Sequence, residues 1–353
     1  MEKEVLFVSN IVGNGGAGRV LSIIANYFAN ENLKVTICSY LDNYETYNLN
    51  KGIKNIVLNP FTKFNLLIKV KRIILLRKII HKNPDATIIA FEDFINMQTL
   101  IASFFLKNKV IISERNDPKQ LDKRRIMKLA RRILYRFADI LVCQTPDAME
   151  YFNYHIRKKS VVIPNPILTG LPVRYEGQRK KEIVNFCRIE PQKNLKLLID
   201  AFSLLQQEYE EYTLAIYGDG SEKEKLIKYT GDIGLNGKIS FHDAAFDIHN
   251  RICNCAMFVS SSDYEGISNS MLEAMGMGLP VIATDCPCGG AKMFINSYEN
   301  GILVPVGDIK ALYDGMKYII EHPDETETMS RSALSIKEEL AVPKICLAWE
   351  KLL

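Results

Sequence analysis

The chain has 353 residues, 47% apolar and 24% charged, a globular composition that excludes a low-complexity or disordered protein and, at this length, predicts two α/β domains rather than one. Its formal charge of +4 divides unevenly: residues 1 to 165 carry 26 Lys and Arg against 14 Asp and Glu, the remainder 19 against 27, so the first half suits a polyanionic partner. Eight cysteines without a C-x-x-C pair exclude a disulfide framework and an evident zinc site, and no apolar run reaches the roughly eighteen residues of a spanning helix.

In chain order, Val5 to Ser9 reads as a buried parallel strand, and Gly13-Asn14-Gly15-Gly16-Ala17-Gly18-Arg19 leads into an apolar-periodic helix from Val20 to Phe28. Glycines between strand and helix let backbone approach a phosphate, and Gly13, Gly15 and Gly18 spell G-x-G-x-x-G. Asp42 follows about twenty-four residues after Gly18, so a nicotinamide dinucleotide remains open as a ligand of this loop. Phe64 to Lys82 is apolar on nearly every side yet carries Lys71, Lys78 and Lys82 at i, i+7 and i+11, which places three ammonium groups on one stripe. Such a helix must bury more than one face, against its own core and against lipid or a partner.

Between Lys123 and Phe137, the charges Arg124, Arg125, Lys128, Arg131, Arg132 and Arg136 fall on one side of a helix at 100° per residue, Lys123 excepted. Ile126, Met127, Leu129, Ile133, Leu134 and Phe137 fall on the other. A basic amphipathic helix of this kind reads as a membrane-surface element, the alternative being a plain surface helix docked on its own domain. Val161 to Ile167, pinned by Pro164 and Pro166, reads as an extended boundary between domains.

The second half opens on the apolar run Ile183 to Phe186, followed by Cys187-Arg188-Ile189-Glu190-Pro191-Gln192-Lys193-Asn194. A strand running into this loop puts Arg188 and Lys193 at the carboxyl end of a parallel sheet, where open α/β folds bind ligands. Thr213 to Tyr217 is another strand, before Gly218-Asp219-Gly220 and a helix from Ser221. Farther on, Glu265 and Glu273 bracket a helix start, and Pro280 to Thr284 is a β-branched run. Ser270 and Glu273 match an S-x-x-E capping box, which predicts a helix from Met271 to about Gly276 to Gly278. Its first turn offers unpaired N–H groups to a phosphate, and both carboxylates could reach one ligand and accept paired hydroxyls. Trp349, in a last helix around Pro343 to Leu353, reads as packing.

Taken together, the Gly-rich loop, Arg188 and Lys193, and the two glutamates resemble family 4 of the glycosyltransferases. In that family the corresponding elements are G-G-A-E-R (here Gly15-Gly16-Ala17-Gly18-Arg19), G-R-x-x-x-x-K-N (here with Cys187 before Arg188) and E-x7-E. The resemblance implies the α/β GT-B architecture, two Rossmann-like domains facing a central cleft: an N-terminal domain over 1–165, a nucleotide-sugar domain over 166–335, and a C-terminal helix over 336–353 crossing back. It implies a retaining, metal-independent transferase taking a sugar from a nucleoside diphosphate, most readily UDP, with no cofactor. Glu265, Arg188 and Lys193 are then the catalytic candidates, and Gly15, Gly16, Gly266, Ile267, Ser268, Asn269 and Glu273 complete the donor site, with Glu265 on the sugar and Glu273 on the ribose.

Within the family, the chain is similar to the branch that builds bacterial polyprenyl-diphosphate-linked oligosaccharides. Ile111-Ile112-Ser113-Glu114-Arg115-Asn116 matches that branch's I-S-E-H element, with Arg115 where many members carry His. This implies a lipid-linked saccharide acceptor near Lys71, Lys78, Lys82, Glu114 and Arg115, and an enzyme in the cytoplasm attached peripherally to an anionic membrane surface. No nucleic-acid module is recognised. A UDP-sugar epimerase or phosphorylase of similar shape is the alternative, and a nicotinamide-dependent oxidoreductase a further one.

Overall fold

The computed structural model describes residues 3–10, 15–41, 49–58, 65–120 and 125–353. Gly13, Asn14, Asp42, Phe64, Lys123 and Arg124, singled out above, lie outside the described residues. The chain divides into two compact units, residues 1–166 with 342–353, and residues 167–341. Pro166 therefore belongs to the first unit. The helix Ile336–Glu339 stays with the second, tied there by the Ile167 N–H donating to the Leu340 carbonyl at 2.8 Å, so the returning segment starts at Val342 rather than 336.

The first unit is a seven-stranded sheet of β1 (Glu4–Ser9), β2 (Lys34–Ser39), β3 (Lys54–Val57), β4 (Thr87–Phe91), β5 (Val110–Ser113), β6 (Ile140–Cys143) and β7 (Ser160–Val162). The order is β3-β2-β1-β4-β5-β6-β7, with every pairing parallel. Strands covered on both faces need continuous apolar runs, and Val5 to Val8 and Ile88 to Phe91 are completely or almost completely buried. Four helices matter below: α1 (Gly15–Asn30), α2 (Asn65–Lys82), α3 (Asp93–Ala102) and α4 (Arg125–Leu134). The last helix, Val342–Glu350, packs on α1, and fully buried Trp349 stacks on Phe91 with centroids 5.6 Å apart. Removing a buried aromatic of this size costs about 3–5 kcal/mol, so this helix belongs to the first unit energetically as well as topologically.

The second unit is a six-stranded parallel sheet of β8 (Lys180–Phe186), β9 (Thr213–Tyr217), β10 (Ile239–His242), β11 (Cys255–Ser260), β12 (Val281–Thr284) and β13 (Ile302–Val304), in the order β10-β9-β8-β11-β12-β13. Leu198, Phe202, Ile216, Met257, Ile282 and Met316 centre its core. In both sheets the strand order reverses beside the first strand, between β1 and β4 and between β8 and β11. The loops leaving such a pair diverge to opposite faces and open a crevice at the carboxyl edge.

Candidate active site

The loops leaving β8 and β11 hold the second unit's candidate residues. Just past β8, the Cys187 N–H still donates to the Tyr217 carbonyl at 3.0 Å, and the Ile189 N–H to Asp219 at 2.8 Å. This lays residues 187–189 directly against Gly218-Asp219-Gly220. Gly218, at φ +145°, has no room for a side chain, since a Cβ there would meet the Cys187 carbonyl oxygen at 1.9 Å. The loop then turns through a short 3-10 segment, Pro191–Lys193, to Asn194. This residue adopts the left-handed conformation (φ 40°, ψ 49°) and caps the helix Leu195–Leu205, its side chain accepting from the Leu197 N–H.

Six cross-connections join this loop to residues 261–265. Ser261 Oγ donates to the Lys193 carbonyl (3.0 Å), the Asp263 N–H to the Gln192 carbonyl (2.9 Å), and Asn194 Nδ2 to Asp263 Oδ1 (2.7 Å). Gln192 Nε2 donates both to the Tyr264 carbonyl (2.8 Å) and to Glu265 Oε2 (3.2 Å). Lys193 is ion-paired to Glu265 Oε1, which also accepts from Ser262 Oγ at 3.1 Å. The two charged side chains are only 14% and 13% exposed. Burial by itself pushes the Lys193 ammonium down, but the Glu265 carboxylate outweighs it and the net shift is upward. Beside them, burial pushes the Cys187 thiol up to about 12, so it is no nucleophile at neutral pH.

Arg188, in contrast, is exposed and makes no ion pair among the described residues. It is a cation at the carboxyl edge without a fixed protein partner, beside a lysine that has one. Glu190, two residues on, is turned away to accept from Ser221 Oγ at 2.7 Å, and that bond leads the causes holding its carboxyl below the usual range.

The helix after β11 runs Asn269–Gly276, two residues earlier than predicted, with Ser268 as its N-cap accepting from the Met271 N–H at 3.4 Å. The Ser270–Glu273 capping box does not form. The physical reason is apolar: a cap at Ser268 puts Ile267 and Leu272 at the two staple positions, and both are buried, whereas a cap at Ser270 would put polar Asn269 there. Glu273 thus lies in the second turn, 3% exposed, with Oε2 2.8 Å from His249 Nε2. Gly278, at φ +62°, follows the helix end as expected. Gly266 is clamped from the other side, since a Cβ on Gly290 would fall 1.7 Å from the Gly266 carbonyl oxygen.

Arg188, Lys193, Glu265, Gly266, Ile267, Ser268 and Asn269 are thus brought together by two adjoining loops, with Glu273 one helical turn deeper. His249, Gln192 and Ser262 join the site although the sequence assigns them no role in it. No spacing rule links His249 to a glutamate 24 positions later, so only the fold could find it.

In the first unit, Gly15 (φ +80°) and Gly16 open α1 after the carboxyl end of β1. Glu114 and Arg115 follow the carboxyl end of β5. Glu114 is 3% exposed and accepts from the phenol of fully buried Tyr135, to which Asn96 Nδ2 also donates at 3.1 Å. Arg115 Nη2 donates to Asn165 Oδ1 at 2.6 Å, an oxygen shared with Gln144 Nε2 at 2.7 Å, and its guanidinium lies over the Phe91 ring at 4.9 Å. Burial pushes Arg115 down to about 9, with Glu92 opposing, so it remains a cation at neutral pH. Lys71, Lys78 and Lys82 are exposed along one side of α2.

The helical wheel of α4 is departed from at one charge. The fully buried residue of this helix is Arg131, 2% exposed, which donates to the Pro118 carbonyl and the Tyr151 hydroxyl, both at 2.8 Å, and stacks over the Tyr151 and Phe152 rings. Ile126, Leu129, Ile133 and, beyond the helix, Phe137 are left exposed. A guanidinium whose hydrogen bonds are met and whose flat faces pack on aromatics can sit inside, so Arg131 lies inward together with half-buried Met127 and Leu134, while Arg125, Lys128, Arg132 and Arg136 stay exposed.

Among the described residues, no group of three or more His, Cys, Asp or Glu could hold a metal ion, and no helix is long and apolar enough to cross a membrane.

Comparison with known proteins bears on the family and the fold. The family model described as Glycosyltransferase Family 4 matches residues 14–170, and that described as Glycosyl transferases group 1 matches 174–335. An uncharacterized glycosyltransferase of Haemophilus influenzae is 23% identical over 100% of both chains. A Campylobacter jejuni enzyme, named as an alpha-1,4-N-acetyl-D-galactosaminyltransferase for a diNAcBac-PP-undecaprenol-linked saccharide, is 24% identical over 99% of this chain and 98% of its own. Among solved structures, Anabaena HepE in complex with UDP superposes with a TM-score of 0.84 at 19% identity, covering 99% of each chain. At that identity the likeness establishes the fold, which is GT-B.

Proposed function

We propose, for a chain that belongs to the family 4 glycosyltransferases, the transfer of a sugar with retention from a UDP-sugar to a saccharide held on a polyprenyl diphosphate. The observation that carries the donor half is the junction of the β8 and β11 loops, where exposed Arg188 and the Lys193–Glu265 pair share the switch-point edge of the second sheet. In this reading Arg188 and Lys193 meet the diphosphate, and the N–H groups at the start of the helix Asn269–Gly276 add their partial positive charge as the leaving group gains negative charge. Glu265 turns from Lys193 toward the donor sugar, and Glu273, steadied by His249, holds the ribose. Gly15 and Gly16 offer backbone N–H groups at the start of α1. No general base is assigned, since the departing phosphate can take the acceptor proton. The reaction is read as metal-independent because the sequence has no D-x-D pair.

The acceptor half rests on the named substrate of the Campylobacter relative and on the basic first half of the chain. Lys71, Lys78 and Lys82 would face the acceptor pyrophosphate, Glu114 and Arg115 would lie nearer the transferred sugar, and the enzyme would work peripherally at the inner face of the cell membrane. The test is a donor screen, by saturation-transfer NMR or thermal shift across UDP-, GDP- and ADP-sugars, followed by turnover with and without a polyprenyl-diphosphate saccharide. Acceptor-dependent transfer from a UDP-sugar supports the reading. Conversion of the UDP-sugar without acceptor would identify an epimerase instead.

A further inference from the structure

With Arg131 turned inward, α4 leaves an apolar ridge on the surface of the first unit. Ile126, Leu129 and Ile133 recur at intervals of three and four, so they stand on one helical stripe, and Phe137 extends it. Ile126 is 82% exposed. The ridge continues through rings: Phe104 lies 4.7 Å from Phe137 and 4.9 Å from Phe105, which is 92% exposed and held at φ +63° at the tip of the turn after α3. Arg77 Nη1 donates to the carbonyls of Ala102 (2.9 Å) and Phe104 (2.7 Å), which joins this turn to α2. There Leu67, Val70 and Ile74 are exposed beside Lys71 and Lys78. Contiguous apolar surface of this extent on a folded unit marks an interaction site.

Charge selects the occupant. Exposed Arg125, Arg132 and Arg136 flank the ridge, and neither α2, α4 nor the intervening turn at 101–109 contains an Asp or Glu. A ridge of aliphatic and phenyl groups flanked on its own helix by guanidinium groups fits an anionic bilayer, with side chains at the acyl boundary and guanidinium groups among headgroup phosphates. A protein partner with an apolar groove would match the ridge but leave the cations unanswered.

We propose that Ile126, Leu129, Ile133, Phe137 and Phe105 form the surface with which the first unit inserts into an anionic membrane, so that lipid is met by the apolar side of α4 and not by its arginines alone. The proposal deepens the membrane-facing reading above. It is tested without donor or acceptor, so its failure leaves the transferase reading standing and failure of the transferase reading leaves it standing in turn.

The experiment uses the full chain and vesicles of phosphatidylethanolamine with phosphatidylglycerol. A triple variant, Ile126→Ser, Leu129→Ser and Ile133→Ser, and separately Phe105→Asn, which suits the left-handed backbone, should keep the wild-type melting curve because these side chains are exposed. The triple variant should lose about tenfold or more in vesicle partitioning, and the loss should persist in high salt. Ile133→Trp should blue-shift on vesicle addition and be quenched by brominated acyl chains, against the constant background of buried Trp349. Unchanged partitioning of the triple variant, or no acyl-chain quenching at position 133, overturns the proposal. So does wild-type protein that ignores vesicles but self-associates through this ridge, which would make the face an interface between copies.

Discussion

His249 and Glu273 face each other at 2.8 Å, Nε2 to Oε2, with Glu273 almost wholly withdrawn from solvent. Losing one hydrogen bond to a buried charged group costs about 1.5–3 kcal/mol. His249→Phe should therefore lower the melting temperature and weaken UDP, while His249→Gln, which retains an N–H donor, should restore much of both. Calorimetric UDP titration and a thermal melt on the two variants check this; equal behaviour of Phe and Gln would separate His249 from the ligand.

Arg188 and Lys193 carry the same charge in opposite settings, so their losses should differ. Either change to Ala should lower turnover on the order of 10²-fold, as expected when an electrostatic stabiliser of the leaving group is removed. Only Lys193→Ala should also destabilise the fold, by about 3 kcal/mol, because it strands Glu265. The pair also sets a pH expectation. Burial lowers the Lys193 ammonium and Glu265 raises it more, so its stabilisation is complete below the ordinary lysine value of about 10.4 and is lost only as pH rises through the higher folded value. An alkaline limb of activity at pH 8 to 9 that vanished in Lys193→Arg would contradict this.

Glu265 and Glu273 should separate kinetically. Glu265→Gln should cripple transfer with UDP affinity nearly intact, whereas Glu273→Gln should weaken UDP itself. Turnover and UDP binding measured on both variants decide the matter, and identical effects would refute the division between sugar and ribose.

Charge neutralisation along α2 tests the acceptor. Lys71→Gln, Lys78→Gln and Lys82→Gln together should raise the apparent KM for a lipid-linked acceptor even in detergent, because charge-assisted contacts to phosphate are lost. The donor KM should not move.

Chelation should be without effect. Turnover in excess EDTA should equal that in its absence, as two cationic side chains would already neutralise the diphosphate; restoration by magnesium after a loss would overturn the metal-independent reading.

Much of this was legible along the chain because it depended on local rules. Runs such as Val5 to Ser9 and Ile183 to Phe186 could only be strands buried on both faces. Arg188 and Lys193 had to lie together because only four residues of loop separate them, and Glu265 had to precede a helix that carries Glu273. The helix starts two residues before the position its capping box predicts, because burial of the staple pair Ile267 and Leu272 outweighs the box.

What tertiary structure alone decided concerns partners distant in sequence. The charge of Lys193 is answered by Glu265, 72 residues on, and Glu273 by a histidine 24 residues before it, because parallel strands bring their carboxyl ends together whatever chain lies between. On α4 the helical wheel sorted charge from apolar side but could not say which side faces in. That choice was made by Pro118, Tyr151 and Phe152, which together satisfy one guanidinium. The hydrogen bonds that make Arg131 the buried residue exist only once those elements have met, and with Arg131 inside, Ile126, Leu129 and Ile133 are left facing out while Met127 and Leu134 stay half-buried.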